Sequence, residues 1–243
     1  MHRFFIPKEW IEQNKVSLQG EPAHQIFHVL RLQPKDFIVV LDNSGWEYEV
    51  EIEKASRELV QGRVVKKDFC ANEPTTKVTL YQALLKIDKF EFVLQKGVEI
   101  GVSAFVPFIS ERCIMRKPAE SKTERWKRII QESAEQSKRA LLPALRPVVS
   151  FEEACRQAGT PAILLWEEEK RQRLSKILKS ASFQKAHAFA LFVGPEGGFP
   201  LSEVKYAQSH RIIPAGLGHR ILRAETASLA AISAILYAKG ELG

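Results

Sequence analysis

The sequence predicts a mixed α/β protein in which a β-rich N-terminal part precedes a larger part with a parallel sheet. Three observations support this fold class. Strand patterns dominate residues 1–70, strand and helix patterns alternate from residue 77 onward, and a short polar segment separates the two parts. Alternating strands and helices are typical of a parallel sheet covered by helices. With 243 residues, the chain is long enough for two domains.

The N-terminal part contains a predicted β-hairpin. Phe37–Leu41 is a continuous apolar run, and residues 46–52 alternate apolar and polar side chains beyond a turn of Asp, Asn, Ser and Gly. Residues 60–65 are a further strand candidate, and residues 24–32 have helical spacing. We expect a small β-barrel over residues 1–70.

A domain boundary is predicted at residues 68–76, which are polar, contain a proline and lack periodicity. Beyond it, residues 77–85 predict a strand, residues 88–100 a helix and Ala104–Ile109 a second strand. This β-α-β order implies parallel pairing through a right-handed crossover. The second domain is therefore expected to cover residues 77–243.

Capping patterns indicate two later helix starts, Ser121 with Glu124 and Ser150 with Glu153. The first of these helices is expected to continue through Arg139. A buried strand and a short helix are predicted after them, at residues 162–166 and Leu174–Leu178.

Two strand-loop-helix joints near the C-terminus form the predicted ligand site. The strands are Ala188–Val193 and 211–217, and the loops that follow, 194–199 and 216–226, are rich in glycine and charge. Strand ends leave backbone groups free and helix starts carry partial positive charge, so such joints bind ligands in α/β proteins. Glu196 is a candidate buried carboxylate, since an ordinary tight turn does not need one.

Ordinary tight turns and nucleotide-binding loops fit these two segments less well. A Gly-Gly pair alone would favour a tight turn, but the carboxylate of Glu196 beside the glycines argues against it. The second loop begins like the dinucleotide-binding fingerprint, but Ile221 stands where the third glycine is required, and no Gly-Lys-Ser/Thr of a phosphate-binding loop follows. The helix predicted over residues 226–239 is rich in small residues, which favours close packing against the sheet or a partner chain.

Composition indicates an ordinary globular protein and gives no sign of a membrane span, a disulfide framework or a metal site. Apolar residues make up 45% and charged residues 27%, as in ordinary globular proteins, and no apolar run approaches the roughly 18 residues of a membrane span. The start of the chain has no signal-peptide pattern, so we expect a cytoplasmic protein. The spacing of Cys70, Cys113 and Cys155 indicates reduced thiols, and His24 and His28 have no third ligand nearby, so no metal is expected.

The distribution of charge predicts a polyanionic partner. The net charge is +7, and residues 112–147 carry ten Lys or Arg against four Glu, whereas residues 1–76 carry ten basic against twelve acidic residues. A solvated helix face is the alternative, because Arg128 with Glu132 and Glu135 with Arg139 form i,i+4 pairs. Seven of the basic residues outside these pairs are candidates for phosphate contact: Arg112, Arg116, Lys117, Lys122, Lys127, Lys138 and Arg146.

The two glycine loops carry a family resemblance. GPEGGF at 194–199 followed by LGHRILRAETA at 217–227 resembles the SPOUT methyltransferases, and specifically the RsmE-type 16S rRNA (uracil-N3)-methyltransferases. QKGVEIGV at 95–102, SERC at 110–113 and EQSKR at 135–139 are similar to further motifs of that family. Gly97 stands where alanine is common, which should cost roughly 1 kcal/mol of helix stability.

The resemblance implies a fold, an activity and partners. The expected fold is a SPOUT-type knotted parallel-sheet domain, with a deep trefoil knot, preceded by a small PUA-like β-barrel domain that binds RNA. The expected activity is methylation of the N3 of a uridine in 16S rRNA of the small ribosomal subunit, with S-adenosylmethionine as cofactor. The active site is expected to be completed by formation of a homodimer.

The resemblance also implies site residues. Arg223 is expected to stabilise the uridine N3 anion, and Glu196 or Glu225 to accept its proton. Arg3 and Arg31 match the arginine positions of the N-terminal domain, although pairing with local carboxylates would explain them nearly as well. The expected cofactor-binding residues are Leu165, Trp166, Glu167, Gly194, Gly197, Gly198, Leu217, Gly218, Ile221, Leu222 and Thr226. The expected RNA-binding residues are Arg3, Arg31 and Arg139, which match family positions, together with Arg112, Arg116 and Lys117 from the basic segment.

Two further function classes stay open on the residues alone. A non-catalytic RNA-binding or ribosome-assembly protein would use the basic helix and the barrel, with the glycine loops as turns. A nucleotide-binding oxidoreductase is disfavoured by the incomplete fingerprint. Binding of S-adenosylmethionine separates the methyltransferase from both.

Overall fold

The computed structural model describes residues 1–115, 118–159 and 161–242. The chain divides into two compact units. The first contains residues 1–73 and 134–142, and the second contains residues 74–133 and 143–243. The division of the sequence into domains at 1–70 and 77–243 stays a prediction.

The first unit is built on one six-stranded sheet with the order β1-β4-β5-β6-β3-β2. Its neighbouring strands are antiparallel except for the parallel pair β1 and β4. The predicted hairpin is confirmed as β4 paired with β5. The strands are β1 (His2–Phe5), β2 (Ile11–Glu12), β3 (Lys15–Gln19), β4 (Phe37–Leu41), β5 (Trp46–Ala55) and β6 (Leu59–Phe69).

Alternation along these strands forms the core of the first unit. Leu18, Ile38, Val40 and Val50 are fully buried, because every second side chain of a strand points to the same face. The helix expected over residues 24–32 is different in the structure. A short helix α1 (Gly20–His24) leads into one π-helical turn at Gln25–Val29.

The second unit contains a seven-stranded sheet in which every pair is parallel. The order is β10-β8-β7-β12-β11-β13, with β9 beside β8. This confirms the predicted parallel α/β architecture. The trefoil knot stays an expectation, because the order of the strands does not show whether the chain passes through a loop. The strands are β7 (Lys77–Ala83), β8 (Ala104–Ile109), β9 (Ala144–Leu145), β10 (Val149–Ser150), β11 (Ala162–Leu165), β12 (Ala188–Val193) and β13 (Ile212–Ala215).

Helices connect the strands of this sheet. The described helices are α2 (Ile87–Ile100), α3 (Glu120–Gln136), α4 (Phe151–Gln157), α5 (Leu174–Leu178), α6 (Ala181–Lys185), α7 (Leu201–Ser209) and α8 (Ala224–Ala238). The last three residues of α3 are counted with the first unit. No helix in the described ranges is long and apolar enough to cross a membrane.

The predicted ends of α3 are wrong. Its start lies before Ser121, because the Ala119 carbonyl already accepts a hydrogen bond from the Lys122 amide at 3.0 Å. It ends at Gln136 because Lys138 has a left-handed φ of 60°. The predicted cap at Ser150 is confirmed, since its side chain accepts a hydrogen bond from the Glu153 amide at 3.1 Å.

Gly97 has a packing reason that the sequence did not reveal. A Cβ at this position of α2 would lie 2.9 Å from the Phe105 ring and 3.4 Å from the Val102 side chain. Phe105 is fully buried on β8. The glycine therefore lets α2 approach the sheet closely, which offsets its lower helix propensity.

Candidate active site

Three neighbouring parallel strands end at one edge of the second sheet. β12 pairs with β11 and β11 pairs with β13, so the loops after them lie side by side. These loops surround a cavity of about 380 Å³, which falls in the range of roughly 300–1,000 Å³ found for small-molecule sites. The two glycine loops predicted to form one site therefore face the same cavity.

Most of the predicted cofactor-binding residues line this cavity. They come from all three loops and are Leu165, Trp166, Glu167, Gly194, Gly198, Leu217, Gly218, Ile221 and Leu222. Two of the predicted catalytic residues, Arg223 and Glu196, also line it. Gly197, Thr226 and the third catalytic candidate, Glu225, lie outside its wall.

Glycine is required at two positions of the cavity wall. Gly198 has a φ of +67°, and a Cβ there would overlap the Glu167 carboxylate. Gly218 has a φ of +130°, and a Cβ there would meet no protein atom within 4 Å. Both conformations are unfavourable for residues with a side chain. The second position thus leaves open space beside the backbone, where a ligand can approach.

Gly197 faces Arg112 instead of the cavity. A Cβ at this glycine would lie 3.3 Å from the Cβ of Arg112, and the Arg112 Nη1 donates a hydrogen bond of 2.9 Å to the Gly197 carbonyl. Gly197, one of the expected cofactor-binding residues, therefore borders Arg112 and is not part of the cavity wall. A side chain at this position would press on Arg112.

The turn after β8 is bonded to the first turn of α7, the helix that follows the first glycine loop. Ser110 Oγ donates a hydrogen bond of 2.8 Å to Glu203 on α7, and the Glu111 amide donates to the same carboxylate at 2.9 Å. Burial raises the pKa of Glu203, while these two hydrogen bonds oppose the shift. Sequence reasoning missed Glu203, since an acidic residue in the first turn of a helix is common.

The acidic loop after β11 is bonded to the loop after β13. Glu169 Oε1 accepts hydrogen bonds from the amides of Arg171 and Gln172 at 2.7 and 2.9 Å. The Gly216 amide donates to the Gln172 carbonyl at 2.9 Å, and the Leu174 amide donates to the Gly216 carbonyl at 3.0 Å. These bonds hold the acidic segment, whose Glu167 lines the cavity, beside the second glycine loop.

A shared lysine links the two carboxylates that the sequence indicated as proton acceptors. Lys89 Nζ on α2 lies 3.9 Å from Glu196 Oε1 and 3.5 Å from Glu225 Oε1, and Lys89 lines the cavity. The Lys86 amide also donates to Glu196 Oε1, at 3.2 Å. The Glu196 side chain is 24% exposed, so the expectation of a buried carboxylate is wrong. Sequence reasoning missed Lys89 because it is distant in sequence from both loops.

Two arginines also line the cavity. Arg223 is exposed at the N-cap position of α8, and Arg220 also lines the cavity. His219 Nε2 lies 3.0 Å from Arg173 Nη2, which holds the second glycine loop against the loop after β11. An exposed guanidinium at the mouth of a cavity can stabilise negative charge on a bound group.

The cavity fits the expected S-adenosylmethionine. The Trp166 Nε1 is buried and has no hydrogen-bond partner among the described residues, so it is a donor available to a ligand. The open space beside Gly218 allows close approach to the backbone. No group of three or more potential metal ligands occurs within the part of the chain that the structure describes. The unpaired Trp166 donor and the open backbone beside Gly218 suit a polar organic molecule.

Two of the predicted RNA-contacting arginines are engaged within the first unit. Arg3 donates hydrogen bonds to both Glu47 oxygens, at 2.5 and 3.1 Å, and its side chain is 10% exposed. Arg139 is buried and donates to both Glu73 oxygens, at 2.8 and 3.3 Å. Pairing with local carboxylates, the alternative for Arg3, is what the structure contains. The expectation that Arg139 lies on a solvated face is wrong.

The remaining predicted RNA-contacting residues differ in their exposure. Arg31 is exposed, with a left-handed φ of 54°, and Arg112 is exposed while it donates to Gly197. Lys127, expected to be unpaired, lies 2.7 Å from Glu124. Arg116 and Lys117 fall outside the described residues.

Comparison with known families identifies the class of protein. The RNA methyltransferase domain matches residues 71–236, and the RNA methyltransferase PUA domain matches residues 18–65. The chain therefore belongs to the RNA methyltransferase family.

Similar proteins make this membership more specific. Ribosomal RNA small subunit methyltransferase E from Bacillus subtilis (strain 168) is 35% identical, with 98% of this chain and 96% of that protein covered. Its namesake from Synechocystis sp. is 33% identical, with 97% and 78% covered. The crystal structure of the Neisseria gonorrhoeae ribosomal RNA small subunit methyltransferase E bound to S-adenosyl methionine has a TM-score of 0.88 and 30% identity, covering 98% of this chain and 97% of that chain. The expected resemblance to the RsmE-type methyltransferases is confirmed.

Proposed function

We propose that this protein methylates the N3 of a uridine in 16S rRNA of the small ribosomal subunit, using S-adenosylmethionine. The observation that carries the proposal is the meeting of both glycine loops and Arg223 around one cavity. The similar protein from Neisseria gonorrhoeae, which was solved with S-adenosyl methionine, supports the choice of cofactor.

The backbone of the glycine loops is proposed to hold the cofactor. S-adenosylmethionine, when bound, supplies an electrophilic methyl group. Gly194, Gly198 and Gly218 would let main-chain groups approach the cofactor closely, and Trp166 Nε1 would donate a hydrogen bond. Leu165, Leu217 and Leu222 would supply the apolar walls.

Arg223 is proposed to act on the target base. The N3 of uridine is an imide nitrogen, and loss of its proton places negative charge on the two flanking carbonyl oxygens. A guanidinium can donate to such oxygens and stabilise the anion. Glu196 lines the cavity, whereas Glu225 contacts Lys89 outside the cavity wall, so Glu196 is the better placed of the two candidate proton acceptors.

The two parts of the chain are proposed to divide the work. Residues 1–70 would form the PUA-like domain that orients the RNA, with the exposed Arg31 as its candidate contact. Residues 77–243 would form the SPOUT methyltransferase domain with its trefoil knot, and the exposed Arg112 is a second candidate for phosphate contact. A substrate in the small ribosomal subunit implies a cytoplasmic location.

We further propose that the protein acts as a homodimer. Ile221 in the cavity wall is 85% exposed, and Tyr237 near the end of α8 is 72% exposed, so exposed apolar side chains lie just before α8 and at its far end. Ala230 and Ala234 on α8 are small enough to allow close approach of a second helix. Light scattering after size exclusion should give twice the chain mass of 27.6 kDa. A monomeric mass at micromolar concentration would contradict this part of the proposal.

One experiment tests the activity. Small ribosomal subunits and free 16S rRNA are each incubated with methyl-labelled S-adenosylmethionine, and the RNA is digested for nucleoside analysis. Label in 3-methyluridine supports the proposal, whereas label in another nucleoside would show that the N3 of uridine is not the methylated atom. RNA binding without cofactor binding would favour the non-catalytic assembly protein.

A pair of variants tests the role of Arg223. R223A should abolish turnover while cofactor affinity, measured by calorimetry, stays near the wild-type value. R171A is a matched control, because Arg171 is exposed on the loop after β11 and, among the described residues, only its backbone amide forms a hydrogen bond. If R223A loses cofactor binding and turnover together, Arg223 has a structural role instead.

A further inference from the structure

We propose that Lys89 is a positioning residue that clamps the two glycine loops together before the cofactor binds. The inference deepens the proposed function, since it concerns the same site, and it rests on that function only for the identity of the ligand. Lys89 belongs to α2 and is the one cavity-lining residue described outside the three strand ends, their loops and the start of α8.

The clamp joins three separate segments of the second unit. Lys89 comes from the first turn of α2, Glu196 from the first glycine loop and Glu225 from the first turn of α8. The ammonium lies 3.9 Å from Glu196 and 3.5 Å from Glu225, whereas a charge-assisted hydrogen bond is usually about 2.7–2.9 Å. The cation is therefore shared between the two carboxylates instead of being bound tightly to one.

The first carboxylate is held by α2 in a second way. Glu196 Oε1 accepts a hydrogen bond of 3.2 Å from the amide of Lys86, the N-cap residue of α2. A carboxylate at a helix N-terminus also interacts favourably with the helix dipole. The start of α2 thus fixes the first glycine loop through both its backbone and the Lys89 side chain.

The second carboxylate depends more strongly on the lysine. The Glu225 side chain is 14% exposed, and its Oε2 is buried without a hydrogen-bond partner among the described residues. A partly buried carboxylate needs a nearby opposite charge. Removal of the Lys89 ammonium would leave Glu196 and Glu225 as two like charges without their shared cation, and the loops that carry them would separate.

The same helix provides a matched control. Lys96 lies 2.8 Å from Glu99 in an i,i+3 pair, and its side chain is 37% exposed. Such a surface pair contributes little to stability. K96M therefore removes a lysine and an ion pair from α2 without touching the cavity.

Hydrogen exchange of the free protein is the first test. In K89M, amides of residues 194–199 and 217–224 should exchange at least about fivefold faster than in the wild type, because local opening becomes easier. K96M should exchange like the wild type, and K89R should largely restore protection. Equal exchange of K89M and K96M in both loops would overturn the clamp, and this measurement does not depend on any ligand.

Cofactor binding is the second test, with charge rescue as its decisive readout. K89M should weaken S-adenosylmethionine binding by about tenfold, since a preorganised site is lost. K89M/E225Q should recover part of that loss, because the neutral amide removes the repulsion between the two carboxylates. A double variant that binds no better than K89M would overturn the electrostatic basis of the clamp. If the wild type itself does not bind, the proposed cofactor is wrong, while the exchange experiment still decides the clamp.

Discussion

Removal of Arg139 should destabilise the first unit strongly. The Arg139 and Glu73 side chains are 6% and 10% exposed, and they are joined by two hydrogen bonds of 2.8 and 3.3 Å. Glu73 also accepts from the amides of Ala140 and Leu141, each at 3.0 Å. In R139A the carboxylate would keep its two amide donors but lose its cationic partner in a buried site.

The magnitude follows from this geometry. Breaking a buried ion pair by removal of one partner typically costs about 3–5 kcal/mol, because the other charge is left uncompensated. The exposed pair of Arg156 and Glu153 offers the comparison. Its Nη2–Oε2 distance is 2.8 Å, but the two side chains are 54% and 40% exposed, and such surface pairs contribute about 0–1 kcal/mol. R139A should therefore be several times more destabilising than R156A.

Urea unfolding followed by circular dichroism measures both variants against the wild type. The pH dependence provides a further check. Burial alone would raise the pKa of Glu73, but the Arg139 and amide hydrogen bonds outweigh it and lower the pKa below its usual 4.5. A carboxyl group whose pKa is lower in the folded than in the unfolded protein stabilises the fold at pH values above its unfolded pKa. This contribution should therefore be lost as the pH falls below about 4.5 and through the pKa of Glu73 in the folded protein. If R139A is as stable as the wild type but binds RNA more weakly, the structural role of Arg139 is refuted and its contact with RNA is supported.

Three further substitutions test the site and its support. G218V should weaken S-adenosylmethionine binding at least about tenfold, because it fills the open cavity space and strains a φ of +130°; calorimetry showing wild-type affinity would place the cofactor elsewhere. R112A should weaken binding about fivefold, since the Gly197 carbonyl loses a hydrogen bond of roughly 1 kcal/mol, and unchanged affinity would show that the loop needs no such support. G97A should lower stability by about 1 kcal/mol, because overpacking against Phe105 exceeds the gain in helix propensity; a raised melting temperature would contradict the close approach.

Local patterns predicted much of the fold. The hairpin of β4 and β5 and the strand Ala188–Val193 follow from the period and continuity of apolar residues, which depend on neighbouring positions. The meeting of the two glycine loops could be predicted because parallel strands in one sheet end at the same edge. The loop residues were also recognisable because the motifs at 194–199 and 217–227 are contiguous in sequence.

Partners between distant residues could not be predicted in the same way. Arg3 and Glu47 are 44 positions apart, and an arginine in a strand has the same appearance whether it contacts solvent, RNA or a carboxylate. Lys89 and Glu203 are ordinary residues of helix starts, and their roles depend on which loops the fold brings beside them. Sequence patterns therefore located the cavity loops but not the side chains that hold them.

The return of residues 134–142 to the first unit limits where the chain can be cut. The Phe5 amide donates to Glu135 at 3.0 Å, and the Leu142 amide donates to Asn43 at 2.7 Å. A fragment that stops at residue 73 would lack these donors and acceptors together with the arginine partner of Glu73. An isolated N-terminal fragment would thus lose these stabilising bonds, and a fragment that keeps the native contacts must also include residues 134–142.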